Sequence, residues 1–246
     1  MKKFLILQLR PDKIADTEFA AFLEAGQLTT DEVHRIRMEI AGVPEHVNLD
    51  DCRGVIVGGG PSNVSDCETK KNDIQKKFED DLYGLLDEIV QKDIPFLGAC
   101  YGIGILSSHQ GACVSKEDYG EDVGAVTVKM TAEGKKDDLL KGLSEEFRAF
   151  VGHKEACQGV PENGVLLASS DTCPVQMYRV KNNVYATQFH PEMDTKEIIN
   201  RINVYKYAGY FPPEDAQKLI SAAKKENVTV PQEILRRFVE KYRINK

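Results

Sequence analysis

The stretch Phe96–Gly102 reads FLGACYG, and it decides the fold class. Its first residues are apolar and predict a buried strand, while the glycines on either side of Cys100 predict a sharp turn into a helix with the thiol at its tip. A larger residue at either glycine would clash in so tight a turn. A strand that leads directly into a helix is the unit from which parallel α/β sheets are built.

The chain before this stretch repeats the order of strand and helix. Apolar runs at 4–9 and 54–57 predict two strands, and residues 16–40 and 71–92 carry apolar side chains at roughly helical spacing. This alternation predicts a doubly wound, mainly parallel sheet flanked by helices.

The second half of the chain has a different pattern. Short alternating stretches from about residue 123 predict a small antiparallel β portion. Residues from about 195 onwards read as helical, and no clear linker separates them from the preceding part. We therefore assign residues 1–194 to one α/β domain and residues 195–246 to a C-terminal helical extension packed on the same domain.

The composition of the 246 residues limits the classes of function. The net charge of −7, without a compensating cluster of lysine and arginine, argues against nucleic acid as a partner. The apolar run near the N-terminus is too short for a signal peptide, and no stretch is long enough to span a membrane. The six cysteines form no CxxC pair, so we expect free thiols in a cytoplasmic protein, with neither a metal site nor a cofactor.

A second motif ends another apolar strand. Val184–Glu192 reads VYATQFHPE, so His190 ends the strand 90 residues after Cys100, and Glu192 follows closely. Thiol, imidazole and carboxylate are the parts of a nucleophile–base–orienter triad. In this interpretation Cys100 is the nucleophile, His190 transfers protons and Glu192 holds the ring in one tautomer. The alternative is that Cys100 is only a small buried apolar residue, and its flanking glycines favour the catalytic interpretation.

The glycine-rich loop after the strand at 54–57 has two interpretations. Gly58–Pro61 reads GGGP and lacks the lysine and the serine or threonine of a phosphate-binding loop. It is either a plain tight turn or a loop whose exposed backbone N–H holds a developing oxyanion. In the second case Tyr101, next to the nucleophile, supplies the other N–H donor.

The three motifs, in this order and spacing, resemble class I (triad) glutamine amidotransferases, and among these the glutaminase part of GMP synthase most of all. The resemblance covers about residues 4–194. It implies the flavodoxin-like architecture of that family and hydrolysis of the glutamine side-chain amide through a γ-glutamyl thioester, with release of ammonia. It also implies that Cys100, His190 and Glu192 form the triad and that Gly60 is the oxyanion glycine.

Departures from the family pattern leave the substrate open. The family commonly has a substrate-binding glutamine four residues after the nucleophile, where this chain has Gly104. Gly59 and His153 are the other positions that the resemblance places beside the substrate. No synthetase region follows the triad, so the ammonia acceptor would belong to a separate synthetase subunit. Two alternatives remain, namely a γ-glutamyl peptidase or hydrolase for which Gly104 leaves room for a bulkier substrate, and a catalytically silent regulatory subunit.

Overall fold

A sheet of nine strands forms the centre of the computed structural model over the residues that it describes, 2–45 and 47–243. Met1 of the predicted α/β domain and residues 244–246 of the predicted C-terminal extension lie outside the described residues. Two further strands, β5 and β8, pair with each other in a small second sheet. In chain order the strands are β1 (Lys3–Gln8), β2 (Val33–Arg37), β3 (Cys52–Val57), β4 (Phe96–Ala99), β5 (Val114–Ser115), β6 (Glu121–Met130), β7 (Glu146–His153), β8 (Ala156–Cys157), β9 (Gly164–Ser170), β10 (Met177–Val180) and β11 (Val184–Thr187).

The large sheet has a parallel part and an antiparallel part. The order across it is β2-β1-β3-β4-β11-β10-β9-β6-β7. All pairs from β2 to β11 are parallel, and all pairs from β11 to β7 are antiparallel. The sheet therefore confirms the predicted doubly wound parallel arrangement with an antiparallel portion.

Helices flank the sheet, and one of the predicted helices is partly wrong. The helices are α1 (Asp12–Gly26), α2 (Met38–Ala41), α3 (Asp73–Lys92), α4 (Tyr101–His109), α5 (Thr195–Val204), α6 (Ala216–Ala223) and α7 (Val230–Arg243). The single helix predicted over 16–40 ends at Gly26, because Gln27 turns left-handed with a φ of 48°. Val33 and Ile36 are spaced as on a helix, but both are β-branched and lie in β2, which pairs with β1. Within the described ranges, no helix combines the length and the apolar character that a membrane crossing needs.

Alternate residues of the central strands point to opposite faces of the sheet. Val57 belongs to the same buried cluster as Leu86 of α3 and Ile103 of α4, whereas Ile56 belongs to the cluster of Phe238 on α7. A third cluster joins α5 and α6 to the antiparallel part. The helices after residue 194 thus pack on the same sheet, and the division of the chain into 1–194 and 195–246 stays a prediction.

Candidate active site

The carboxyl ends of four neighbouring parallel strands meet at one edge of the sheet. β1 leads to Arg10, β3 to the loop Gly58–Pro61, β4 to Cys100 and β11 to His190. Open α/β sheets bind their ligands outside these carboxyl ends. The fold thus brings together motifs that are far apart in the sequence.

Cys100 occupies the turn between β4 and α4. Its φ of 53° and ψ of −94° are strained for a residue that carries a Cβ. The Cys100 amide donates to the Thr187 carbonyl oxygen at 2.8 Å and holds the turn against β11. A Cβ on Gly98 would lie 2.7 Å from the Gly102 carbonyl carbon, and a Cβ on Gly102 would lie 3.0 Å from the Val57 carbonyl oxygen. These contacts confirm the predicted glycine-flanked turn with the thiol at its tip.

His190 and Glu192 form a buried hydrogen-bonded pair. Nδ1 of His190 lies 2.9 Å from Oε1 of Glu192. A hydrogen on Nδ1 satisfies this contact and leaves Nε2 as the acceptor, which is the tautomer that a general base requires. Arg201 of α5 donates from Nη2 to the same Glu192 oxygen at 2.8 Å, and its Nη1 lies 3.1 Å from His190 Nδ1. A guanidinium therefore backs the pair on the side of the C-terminal helices.

The surroundings favour the uncharged forms of both Cys100 and His190. Burial raises the pKa of the Cys100 thiol to about 11, against the opposite pull of Arg10 and Arg201. Burial lowers the pKa of His190 to about 4, although Glu192 acts in the opposite direction. Burial would raise the pKa of Glu192, but His190 and Arg201 outweigh it and hold that pKa well below its usual range. Near neutral pH the resting site therefore holds a thiol, a neutral imidazole and a carboxylate.

Gly59 lies between His190, Arg10 and Cys100. A Cβ on Gly59 would lie 2.7 Å from His190 Cε1, 2.8 Å from Arg10 Nη2 and 3.4 Å from Cys100 Cβ. These distances place His190 Cε1 and Cys100 Cβ no more than about 6 Å apart across the glycine. The structure thus gives a reason for a glycine at this position, the close approach of the His190, Arg10 and Cys100 side chains. Binding of substrate by Gly59 stays a prediction.

The backbone amides of Gly60 and Tyr101 border the space beside Cys100. Both residues line the same small cavity as the thiol. Neither amide donates a hydrogen bond to another residue in the described part of the chain. Tyr101 is the first residue of α4, where an amide has no partner within the helix. A Cβ on Gly60 would lie 2.8 Å from Leu9 Cβ, so this loop position has no room for a side chain.

The space beside Gly104 is filled by the protein itself. A Cβ on Gly104 would lie 3.3 Å from Glu155 Oε1 and 3.4 Å from Val64 Cγ2. The Glu155 carboxylate accepts hydrogen bonds from the amides of Val64 at 2.8 Å and Ser65 at 2.9 Å, and from the Ser65 hydroxyl at 2.6 Å. The expectation that Gly104 leaves room for a bulkier substrate is therefore wrong, because a buried carboxylate occupies that space and anchors the loop that follows Gly60.

His153 lies in the wall of the cavity, but both of its ring nitrogens are engaged. Nδ1 lies 2.8 Å from the Glu155 carbonyl oxygen, and Nε2 lies 2.8 Å from Oε2 of Glu121. Atoms of Glu121, His153 and Cys173 lie within 4.8 Å of one another. The Glu121 carboxylate also accepts hydrogen bonds from the Ser170 and Thr172 hydroxyls and from the Gln176 side-chain amide. We interpret the group as a hydrogen-bond network, and substrate binding by His153 stays a prediction.

Two small cavities adjoin Cys100 and His190. The cavity beside Cys100 has a volume of about 20 Å³, and the cavity beside His190 has a volume of about 40 Å³. Tyr210 lines both, so the segment 205–211 that follows α5 covers this part of the site. This segment therefore lies between the cavity beside Cys100 and the cavity beside His190.

Several charged side chains of the site were not predicted from the sequence. Arg10 directly follows β1, and a polar residue at the carboxyl end of a parallel strand is a signal that could have found it. Arg201 and Glu18 lie inside helices among many other charged residues, and no local pattern distinguishes them. Glu155 comes two residues after His153, and no local pattern indicated that its carboxylate anchors the loop after Gly60.

Comparison with known proteins identifies the family. The model of the family "Glutamine amidotransferase class-I" matches residues 27–202. The chain belongs to this family. One of the subunits of the glutamine-hydrolyzing GMP synthase of Methanocaldococcus jannaschii is 32% identical to this amidotransferase over 163 residues, which are 65% of this chain and 76% of that protein. The glutamine-hydrolyzing GMP synthase of Streptococcus thermophilus is 30% identical over 181 residues, which are 72% of this chain but 29% of that protein. The chain thus spans less than a third of the length of the latter relative.

Solved structures share the fold of this amidotransferase. A glutamine amidotransferase from Thermotoga maritima superposes with a TM-score of 0.77, covers 98% of this chain and 99% of its own, and is 21% identical. A glutamine amidotransferase from Methylobacillus flagellatus gives a TM-score of 0.72, with 98% and 95% coverage at 18% identity. This likeness concerns the fold, and it extends over nearly the whole chain, including the C-terminal helices.

Proposed function

We propose that this amidotransferase hydrolyses the side-chain amide of glutamine through a γ-glutamyl thioester on Cys100 and releases ammonia for a separate acceptor enzyme. The observation that carries the proposal is the position of Cys100. It lies at a strained turn, and its Cβ is no more than about 6 Å from the His190 ring, which is hydrogen-bonded to Glu192. Membership of the family supports glutamine as the substrate, and the names of the relatives support hydrolysis that supplies a synthase.

The first step is attack of sulfur on the amide carbon of glutamine. Nε2 of His190 takes the proton of the Cys100 thiol, the sulfur electron pair forms the C–S bond, and the carbonyl π pair moves to oxygen. The amides of Gly60 and Tyr101 donate to this oxygen, and one such donor contributes about 3 kcal/mol to a transition state of this kind. Because proton transfer accompanies the attack, a thiol with a raised pKa can still act as the nucleophile.

The intermediate then collapses and the enzyme is regenerated. The C–N bond breaks, the proton on His190 passes to the leaving nitrogen, and ammonia departs from the γ-glutamyl thioester. Water then gives a proton to the same imidazole, attacks the thioester and releases glutamate and the Cys100 thiol. Glu192 stabilises the imidazolium that forms in each half of the reaction.

We also propose that the acceptor is a synthetase subunit that docks near the segment 205–211. The Methanocaldococcus jannaschii relative is named as one subunit of a GMP synthase. This segment covers the site, and its residue Tyr207 and the adjacent Val204 are 82% and 56% exposed. A partner that contacts them would move the cover and admit glutamine, so hydrolysis would rise when the partner is present.

Release of ammonia and glutamate tests this proposal. L-glutamine and a γ-glutamyl dipeptide are incubated with the wild-type chain, with Cys100→Ala and with Cys67→Ala, which removes an exposed thiol as a control. We expect equal amounts of glutamate and ammonia from glutamine with the wild type and Cys67→Ala, and none with Cys100→Ala. Hydrolysis by Cys100→Ala, or faster turnover of the dipeptide than of glutamine, would contradict the proposal.

A further inference from the structure

Arg10 is a buried cation whose position is fixed by two side chains. Only 5% of its surface is exposed. Its Nε donates to Oε1 of Glu18 at 2.8 Å, and its Nη1 donates to the Tyr205 hydroxyl at 3.1 Å. Glu18 is itself held by Gln8, whose Nε2 donates to the other carboxylate oxygen at 2.8 Å. The guanidinium therefore keeps one orientation at the carboxyl end of β1.

The third nitrogen of this guanidinium faces the reacting groups. Nη2 has no acceptor among the described residues. It lies 2.8 Å from the Cβ position of Gly59, and that position is 2.7 Å from His190 Cε1 and 3.4 Å from Cys100 Cβ. Arg10 also lines the cavity that Gly60 and His190 share. A charged donor without an acceptor among the described residues thus lies no more than about 6 Å from Cys100 Cβ.

This place becomes negatively charged during the reaction. Negative charge develops first on the Cys100 sulfur and then on the amide oxygen, as the C–S bond forms and the carbonyl π pair moves to oxygen. Burial disfavours any anion here and raises the pKa of Cys100 to about 11. Among the charged side chains that act on this thiol, Arg10 has the largest effect, and it lowers the pKa. Two backbone N–H groups bring partial charges to the oxyanion, whereas Arg10 brings a full charge in the same low-dielectric surroundings.

We propose that Arg10 is a catalytic residue whose Nη2 stabilises the negative charge that passes from Cys100 Sγ to the amide oxygen of the substrate. The inference rests on the proposed hydrolysis of glutamine, and it assigns to Arg10 a role beyond that of the triad and the two backbone donors. Its ion pair with Glu18 and its contact with Tyr205 serve to hold Nη2 in place.

The test replaces Arg10 by methionine, which keeps the length of the side chain and removes its charge. Arg148→Met is the matched control, because Arg148 is also paired with a glutamate, Glu226 at 2.8 Å, on another part of the sheet. The first readout is alkylation of Cys100 by iodoacetamide at about pH 9, with each modified cysteine identified by peptide mass. We expect Arg10→Met to slow alkylation of Cys100 about tenfold, which corresponds to one unit of thiol pKa, and Arg148→Met to leave it unchanged. Exposed Cys67 serves as the internal standard in every sample.

The second readout is the hydrolysis of glutamine. We expect Arg10→Met to lower kcat by about 10²–10³, the typical cost of losing one oxyanion donor, with little change in KM. If Arg10→Met fails to fold, as judged by its thermal unfolding, Arg10→Gln takes its place with the same expectation. Wild-type rates of alkylation would overturn the proposal, as would a kcat like that of the wild type or an effect confined to KM. If the wild type does not hydrolyse glutamine, the proposed function fails, and the alkylation rates alone decide the role of Arg10.

Discussion

Gly59→Ala tests the close approach of the reacting groups. The added Cβ would lie 2.7 Å from His190 Cε1 and 2.8 Å from Arg10 Nη2, whereas non-bonded carbon atoms prefer about 3.5–4.0 Å. The His190 ring therefore has to move by about 1 Å relative to Cys100, and a misplacement of about 1 Å costs about 10²-fold in rate. We expect kcat for glutamine, measured as steady-state release of glutamate, to fall about 100-fold with a smaller change in KM.

Gly84→Ala is the matched control for this substitution. Gly84 lies in α3, and a Cβ there would meet nothing within 4 Å. Alanine is favoured over glycine inside a helix by about 1 kcal/mol, so the control should be slightly more stable than the wild type with the same kcat. The reasoning is refuted if Gly59→Ala is folded and keeps a kcat within about threefold of the wild type, far from the 100-fold loss expected of a displaced ring.

The packing and the charges give three further predictions. Gly104→Gln should destabilise the protein by about 1–3 kcal/mol in thermal unfolding, because the new side chain has to displace the Glu155 carboxylate; unchanged stability with a lower KM for glutamine would contradict this. Phe238→Ala should cost about 3–5 kcal/mol in denaturant unfolding and keep a single transition, and a separate early transition would show that the C-terminal helix unfolds alone. The rate of Cys100 alkylation without substrate should keep rising with pH until it approaches the thiol pKa of about 11. Cys67, whose pKa is lowered by the Thr69 hydroxyl, should react at lower pH. A rate for Cys100 that levels off below about pH 8 would contradict the raised pKa.

The turn around Cys100 could be predicted from the sequence because its constraints are local. Gly98 and Gly102 approach each other closely, and this contact depends only on the path of a few consecutive residues. The positions of His190 and Glu192 could be predicted for a related reason, since the carboxyl ends of parallel strands always share one edge of the sheet.

The helix predicted over 16–40 shows where local patterns are insufficient. Val33 and Ile36 are three positions apart, which fits one face of a helix and also fits a strand that is buried on both faces, where Val33 and Ile36 join different clusters. The pairing of β2 with β1 decides between the two structures. That pairing is a contact between distant parts of the chain, so the spacing of apolar residues does not encode it.

The charged groups behind His190 and Glu192 could not be predicted for the same reason. Glu18 and Arg201 come from α1 and α5, and they meet beside Glu192 only because those elements pack together. Each looks like an ordinary surface charge in the sequence. Burial strengthens the effect of Arg201 on the pKa values of Cys100 and His190, and burial depends on the whole fold.

Direct capture of the acyl-enzyme tests the central claim most directly. The wild-type chain is mixed with L-glutamine, quenched in acid during turnover and digested, and each cysteine peptide is weighed by mass spectrometry. The account predicts that the Cys100 peptide gains the mass of one γ-glutamyl group, that hydroxylamine removes the group, and that no adduct forms on the other five cysteines. An adduct on a different residue, or release of glutamate during turnover without any adduct on Cys100, would contradict the account.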